Sequence, residues 1–423
     1  MRKQIYISSV FFVFAFLFVS PVLSPSINGN TIYLSWFVPF FDFYFIKKIT
    51  NIKLKAGIIT GFLIFTSVIV LHSNYMLIFK ALSIIFSVAY LQYIYEQIGF
   101  KKLYKAFNIN ILIAILQFLL YFINRRIAYL FGPNNISRLI WGNFATQTNS
   151  NFYPVFYLPR TCGLSREAGF FAALLCIIII IYINDKKIIK TKFQKRLFFI
   201  AYIVSFSKMS FSLLIMLAIF RYRRRFNKIP LIITLALFVI TAGILVNFIN
   251  QRGLLYLGGE SWAHRLWGYG VVFSHLNTKE FLIGNRNGTE ELNKYALEAF
   301  PSHKFLFKRG FTKFCGLPDL IIYIGYIGLA GFLIFLKFLG VRSGYFLLLL
   351  IATSDVDLLT STSFVVLSYW FAVFGLKNER SFSAQLKRKI KIGIDARTLS
   401  DEKFSETGLY VIREKTYSET LCC

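Results

Sequence analysis

Acidic residues are scarce in this chain: 19 aspartates and glutamates stand against 48 lysines and arginines, with only 4 histidines. Few side chains are therefore on hand for general acid–base work. Five cysteines (Cys162, Cys176, Cys315, Cys422 and Cys423) show neither metal-ligand spacing nor a disulfide framework. A Cys162–Cys315 bridge is conceivable, but nothing in the sequence supplies the geometry such a bond demands. No metal-ligand cluster and no glycine-rich nucleotide loop occurs in the apolar part of the chain, so neither a metal nor a cofactor is expected. Serine, histidine and aspartate are present without the spacing of a triad. There is no internal repeat and no pair of matching broken helices in two halves, which counts against the usual transporter plan. An aromatic-rich soluble module for nucleic acid is also missing, so the formal charge of +29 calls for another explanation.

What the chain has is apolar length. Of its 423 residues 56% are hydrophobic, and the mean hydropathy of +0.60 lies well outside the soluble range. The 49 phenylalanines and 24 tyrosines suit lipid-facing and interfacial surfaces. Basic residues fall between apolar runs, so the charge is that of a membrane protein and no nucleic-acid partner is expected. The fold class that follows is all-α, a polytopic integral membrane protein in contact with membrane lipid. Runs near the length needed to cross a bilayer lie at 5–24, 30–46, 56–72, 76–96, 107–124, 167–184, 230–249 and 317–338. The first, after Met1-Arg-Lys, is too long for a signal-peptide core and lacks a clear cleavage site, so it reads as a span.

Two further regions read as paired short helices. The stretch 197–220 is flanked on both sides by basic clusters, Lys186–Arg196 and Arg221–Lys228. If both clusters are cytoplasmic, the chain crosses twice between them and turns at Ser205-Phe-Ser-Lys-Met-Ser210. Likewise 344–376 divides at Ser354-Asp-Val-Asp-Leu-Leu-Thr-Ser361, whose carboxylates do not belong in lipid. The expectation is about 12 transmembrane helices with both termini cytoplasmic. Lys47–Lys55, Lys101–Lys105, Lys186–Arg196, Arg221–Lys228 and Arg342 then all fall inside, and two long loops, 125–166 and 250–316, lie outside. The apolar region fills 1–378 and a basic cytoplasmic tail fills 379–423.

Four constellations stand out. The first is Arg160-Thr-Cys-Gly-Leu-Ser-Arg-Glu-Ala-Gly-Phe170, where two arginines and a glutamate crowd the start of an apolar run. Arg160 and Arg166 either anchor a helix end at the headgroups or line a wet site. The second is Ser205-Phe-Ser-Lys208, where the lysine either snorkels or holds an anion. The third comprises Ser261-Trp-Ala-His-Arg-Leu-Trp-Gly-Tyr-Gly270 and the turn-rich Leu282-Ile-Gly-Asn-Arg-Asn-Gly288. Trp262, Leu266, Tyr269 and Phe273 make one apolar stripe suited to a membrane surface, with Arg265 at its edge. The fourth is Pro318-Asp319 leading to Gly325-x-x-Gly328-x-x-Gly331, a small-residue face for close helix packing. Glu167, His264 and His303 are the candidates for acid–base work. Arginines and a lysine drawn from separate external segments would suit a diphosphate, whose oxygens match the guanidinium fork.

In their order these segments resemble the O-antigen polymerase and ligase superfamily of glycan-assembly proteins. Arg160-x-x-Gly163-Leu-x-x-Glu167 resembles the family's segment after the first long external loop, and Ser205-Phe-Ser-Lys208 its Ser-x-Ser-basic element. Arg265 with Ile283-Gly-Asn-x-Asn-Gly288 resembles the second-loop arginine and glycine-rich stretch, and Gly325-x-x-Gly328-x-x-Gly331 the span that closes that loop. The resemblance covers roughly 1–378. It implies a membrane glycosyltransferase of the bacterial cytoplasmic (inner) membrane that acts on undecaprenyl-diphosphate-linked oligosaccharides at its outer face. By it Arg160 and Arg265 would hold the diphosphate with Lys208 as a helper, and a flippase and a chain-length regulator would be partners; the residues themselves add Arg166 to the diphosphate set and Glu167 and His264 as the catalytic candidates. Cys315-Gly316 stands where ligases of the family commonly carry His-Asn, which favours polymerase over ligase. An oligosaccharide flippase or exporter is the rival of another class. In the tail, Lys391-Ile-Gly-Ile-Asp-Ala-Arg-Thr-Leu-Ser400 and Thr407-Gly-Leu-Tyr410 resemble the opening of a nucleotide-sugar glycosyltransferase. Too few residues follow to bury a core, so the tail reads either as a truncated fusion or as an ordinary basic tail.

Overall fold

The computed structural model describes residues 2–27, 30–49, 86–146, 153–207, 210–251, 268–272, 276–284, 316–338 and 341–353, apart from single positions 88, 92, 156 and 186. By backbone contacts the chain divides into Met1–Phe374 and Gly375–Cys423, and all described residues belong to the first unit.

The described part is predominantly helical. Its helices are α1 (Arg2–Val19), α2 (Phe43–Ile49), α3 (Lys101–Ile123), α4 (Arg125–Leu130), α5 (Pro133–Trp141), α6 (Ala168–Asn184), α7 (Lys192–Ser205), α8 (Ser210–Phe226), α9 (Leu231–Gln251), α10 (Thr278–Ile283), α11 (Leu317–Phe338) and α12 (Ser343–Thr353). Two small antiparallel hairpins accompany them: β1 (Ser26–Ile27) with β2 (Asn30–Thr31), and β3 (Tyr153–Val155) with β4 (Leu158–Arg160). Among the described residues three helices are long and apolar enough to cross a membrane: Arg2–Val19, Lys101–Ile123 and Leu231–Phe248. The chain is a helical membrane protein by this measure.

Helix α3 shows why length alone understates the case. Leu112, Leu116, Leu119 and Ile123 are exposed, at spacings of three and four that make one apolar stripe. Asn110, Ala114, Gln117 and Tyr121 are buried on the opposite face. Apolar outward and amide inward is the reverse of a soluble helix, and it is stable only where the outer solvent is lipid. Helix α9 repeats the theme with Ile233, Leu237, Ile240 and Ile244 exposed. By contrast, α6 is buried nearly all round and serves as the central helix, against which α7, α8 and α12 pack. Its far end is fastened by Asp185, buried, which accepts hydrogen bonds from the Tyr95 and Tyr104 hydroxyls at 3.3 and 3.0 Å.

One expected span does not form as a helix. Residues 30–46 pass through β2, two 3-10 turns (Leu34–Trp36 and Val38–Phe41) and the short α2. Pro39 has no N–H to donate, and the Asp42 carboxylate takes over the Phe45 N–H at 3.1 Å and the Tyr90 hydroxyl at 3.3 Å. Elsewhere the helices match the apolar runs more closely. The region 197–220 is two helices, α7 and α8, parted at Phe206, whose backbone is left-handed (φ 38°). Helix α11 is kinked at Gly325, which has φ +60°. The expected spans over 56–72, most of 76–96 and the part of 344–376 beyond 353 lie outside the described residues, as does the whole tail.

Candidate functional site

The turn between β4 and α6 is the most densely bonded loop among the described residues. Its anchors are two amides on α3, seven residues and so about 10 Å apart on one helix face. The Gln117 side chain pairs with the Gly163 backbone in both directions: Oε1 accepts from the Gly163 N–H at 2.9 Å, and Nε2 donates to the Gly163 carbonyl at 3.0 Å. Asn110 Oδ1 accepts from the Leu164 N–H at 2.6 Å, while its Nδ2 donates to the Val19 carbonyl at 2.8 Å and to Ser165 Oγ at 3.1 Å. The Ser165 N–H closes the turn on the Cys162 carbonyl at 3.0 Å, and the Val22 N–H reaches the Leu164 carbonyl at 3.4 Å. The loop is thus tied to the end of α1 as well as to α3.

Glycine is required at its centre. Gly163 has φ +59°, and a Cβ there would overlap both the side-chain and main-chain oxygens of Asn110. The backbone therefore lies directly on α3. Since Asn110 and Gln117 sit 13 and 6 residues before Ile123, the turn dips about 9–20 Å below the end of that helix. Irregular backbone at such depth needs every polar group matched within the protein, and the two amides supply much of that.

On the other side the turn meets the junction of α7 and α8. The Thr161 N–H and hydroxyl both donate to the Val204 carbonyl, each at 3.2 Å. Ser205 and Ser207 at that junction are buried, and Phe206 stacks on Phe118 of α3 with ring centres 6.3 Å apart. The Arg160–Phe170 segment and the Ser205-Phe-Ser element, 35 or more residues apart in sequence, are neighbours.

The charged groups flank this buried turn. Arg160 ends β4, opposite Tyr153, and is half-buried. Arg166 and Glu167 are exposed. Glu167 is the residue before α6 but its side chain does not cap the helix. The first turn of α6, Ala168–Phe170, is buried, with the Glu167 carboxylate at its positive end. Cys162 is a free, buried thiol. Burial pushes its pKa up, the charge of Glu167 adds to that, and the charge of Arg160 opposes it. Both charges are thus felt at the same thiol, and a bridge to Cys315 is not the state of Cys162 here.

A second junction joins the remaining motifs. A Cβ on Gly325 would overlap the Leu282 carbonyl and come within 2.5 Å of the Gly284 nitrogen, so α11 and the end of α10 touch backbone to backbone. Phe281 and Tyr326 stack there with ring centres 4.0 Å apart. Helix α10 is started by a capping box, Asn277 with Glu280. The glycine-rich segment and the glycine span are therefore in direct contact at their described ends. Tyr269 is buried and meets Phe238 of α9 edge-on at 5.7 Å, so this member of the apolar stripe packs against protein and not on a membrane surface. Lys208, His264, Arg265 and His303 lie outside the described residues.

Sequence reasoning passed over Asn110 and Gln117. The signal was available: two amides seven residues apart in an otherwise apolar run mark one helix face for something polar. No family model, curated protein or solved structure matches the chain.

Proposed function

We propose that this chain is a polymerase of lipid-linked glycans. It joins undecaprenyl-diphosphate-linked oligosaccharide repeat units into an O-antigen or capsular-type polysaccharide at the outer face of the bacterial cytoplasmic membrane. The observation that carries the reading is the recessed turn Thr161–Ser165, held by Asn110 and Gln117 and bonded to Val204. Arg160 and Arg166 flank this turn, and it lies beside the Ser205-Phe-Ser element. A lipid-borne diphosphate is the anion such a site would meet, because its carrier keeps it within the bilayer and its phosphates at the interface.

In this reading Arg160 grips the diphosphate, Arg166 adds charge at the rim, and Arg265 and Lys208 complete the cradle. Glu167 would accept the proton of the sugar hydroxyl that attacks the anomeric carbon; His264 is the other candidate. The carbon–oxygen bond to the diphosphate breaks as the new glycosidic bond forms, and the carrier diphosphate leaves. Arginines stabilise that leaving group as its charge grows, which is where fixed cations lower a barrier most.

Arg160→Ala should lower polymer formation from lipid-linked repeat units by about 10- to 100-fold, on the scale of one or two charge-assisted hydrogen bonds. Arg160→Lys should recover only part of it, since lysine keeps the charge but not the planar fork. Arg138→Ala, in the same loop, should be nearly silent. Full activity in Arg160→Lys would remove Arg160 from the diphosphate site.

A further inference from the structure

The segment that follows α3 offers a surface of a different kind. Asn124 breaks the helix in extended conformation and caps α4, accepting from the Arg126 and Ile127 N–H groups at 2.9 and 3.3 Å. The chain then turns back on itself. Gln117 Nε2 donates to the Phe131 carbonyl at 2.7 Å, so Phe131 returns to a level about 9 Å below the end of α3. Helix α5 is then fixed against the end of α1: Trp141 Nε1 donates to the Leu23 carbonyl at 3.0 Å, and Thr146 Oγ1 to the Ser24 carbonyl at 2.6 Å. Pro133 and Ser137 form its buried face.

The face left outside is both greasy and cationic. Leu130 is 66% exposed, Leu139 87% and Phe144 58%. Arg125, Arg126 and Arg138 are exposed among them. From 97 to 166 the sequence has no aspartate or glutamate, so these arginines have no carboxylate of their own segment to pair with. Large apolar side chains at this exposure are unfavourable in water, and the segment follows directly on the end of α3, a helix long and apolar enough to cross a membrane.

We infer that α4, α5 and the turn after them form a fixed interfacial foot, whose apolar side chains enter the acyl boundary and whose arginines bind the phosphates of anionic phospholipid in the leaflet where α3 ends. Apolar side chains at acyl depth with arginines at the headgroups are the composition of interfacial helices. Charge complementarity selects an anionic headgroup over a zwitterionic one. The inference does not rest on the proposed polymerase activity, and it holds for either orientation of the chain.

The test uses the full-length protein with Leu139→Cys, labelled with a small fluorophore and reconstituted in phosphatidylcholine bilayers, the labelled wild type giving the background from native cysteines. Lipids brominated near the headgroup end of the chain should quench the label at 139. Brominated phosphatidylglycerol should quench at a lower mole fraction than brominated phosphatidylcholine, by about fivefold for each arginine engaged. High salt should erase that difference while leaving quenching by phosphatidylcholine, which needs no further variant. Arg125→Gln with Arg126→Gln and Arg138→Gln should also erase it. A label that no brominated lipid quenches would overturn the inference, since the segment would then stand in water or against a second copy. Equal quenching by the two headgroups in the unsubstituted arginine background would overturn its anionic part.

Discussion

Replacing Gly163 by alanine probes the recessed turn with the smallest possible change. Three costs follow from the geometry. Alanine in a left-handed conformation costs about 1–2 kcal/mol. The new methyl overlaps two oxygens of Asn110, so the turn must move off α3. Once it moves, the paired bonds between Gln117 and Gly163 and the bond from the Leu164 N–H to Asn110 are lost. Each leaves a buried polar group, at about 1–3 kcal/mol apiece. Their sum is several kcal/mol concentrated in one loop, so the turn should lift while the helices stay packed. Cys162, adjacent and buried, reports on this directly. Maleimide labelling mapped to Cys162 by mass spectrometry should be slow in the native protein, whose thiol is buried and held protonated. It should become fast in Gly163→Ala, with thermal unfolding of the bundle little changed and glycan assembly lost. Gly142→Ala is the matched control. Gly142 has φ +55° but nothing within 4 Å of a Cβ, so strain acts there alone and Cys162 should stay protected. If Cys162 stays protected in Gly163→Ala and activity persists, the turn is not pinned as described.

Gly325→Ala should part α11 from the end of α10, because no side chain fits between them, and should lower the unfolding temperature in detergent; an unchanged melt would place that junction elsewhere. Gln117→Ala removes the partner of three bonds and should loosen the same turn by about 3 kcal/mol, read as partial exposure of Cys162 with the melt of the bundle little changed. Gln117→Glu, whose carboxyl must be protonated to face two carbonyls and can then donate to only one of them, should fall between; equal protection of Cys162 in all three would show the amide to be incidental. For topology, single cysteines near Asn134 should react with impermeant reagents from outside the cell, and ones near Lys190 and Arg224 should not. Labelling of Arg224→Cys from outside would reverse the reading of the α7–α8 pair.

Much of the helical plan was legible because apolar runs and basic punctuation are strong signals in a membrane chain. The break at Ser205–Ser210 followed from charge: two basic clusters on one side require an even number of crossings, and the chain does part there into two helices. The run at 30–46 misled for an equally physical reason. Apolar content says that a segment avoids water, but Pro39 and Asp42 decide whether it can be one helix, and they forbid it. At the candidate site the arginines and glycines were visible, whereas the amides that hold the turn were not singled out. Asn110 and Gln117 sit inside a run that reads as lipid-facing until it is drawn as a helix, when both fall on the face opposite the exposed leucines. The fourth motif spells a face for close packing, and Gly325 does lie against the backbone of Leu282 and Gly284; the kink at that glycine is what its spacing does not reveal. Periodicity finds faces, but it does not say what touches them.

The most direct measurement of the proposed activity is the product formed when purified protein in bilayers is given a defined undecaprenyl-diphosphate-linked repeat unit and no other acceptor. A polymerase transfers one saccharide chain from its carrier to the far end of another, so the predicted result is a ladder of products spaced by whole repeat units, with carrier diphosphate released in step. If nothing forms until a lipid A core is supplied, the chain is a ligase. If neither mixture reacts but the vesicles move the lipid-linked unit across the bilayer, it is a transporter, and the proposal is contradicted.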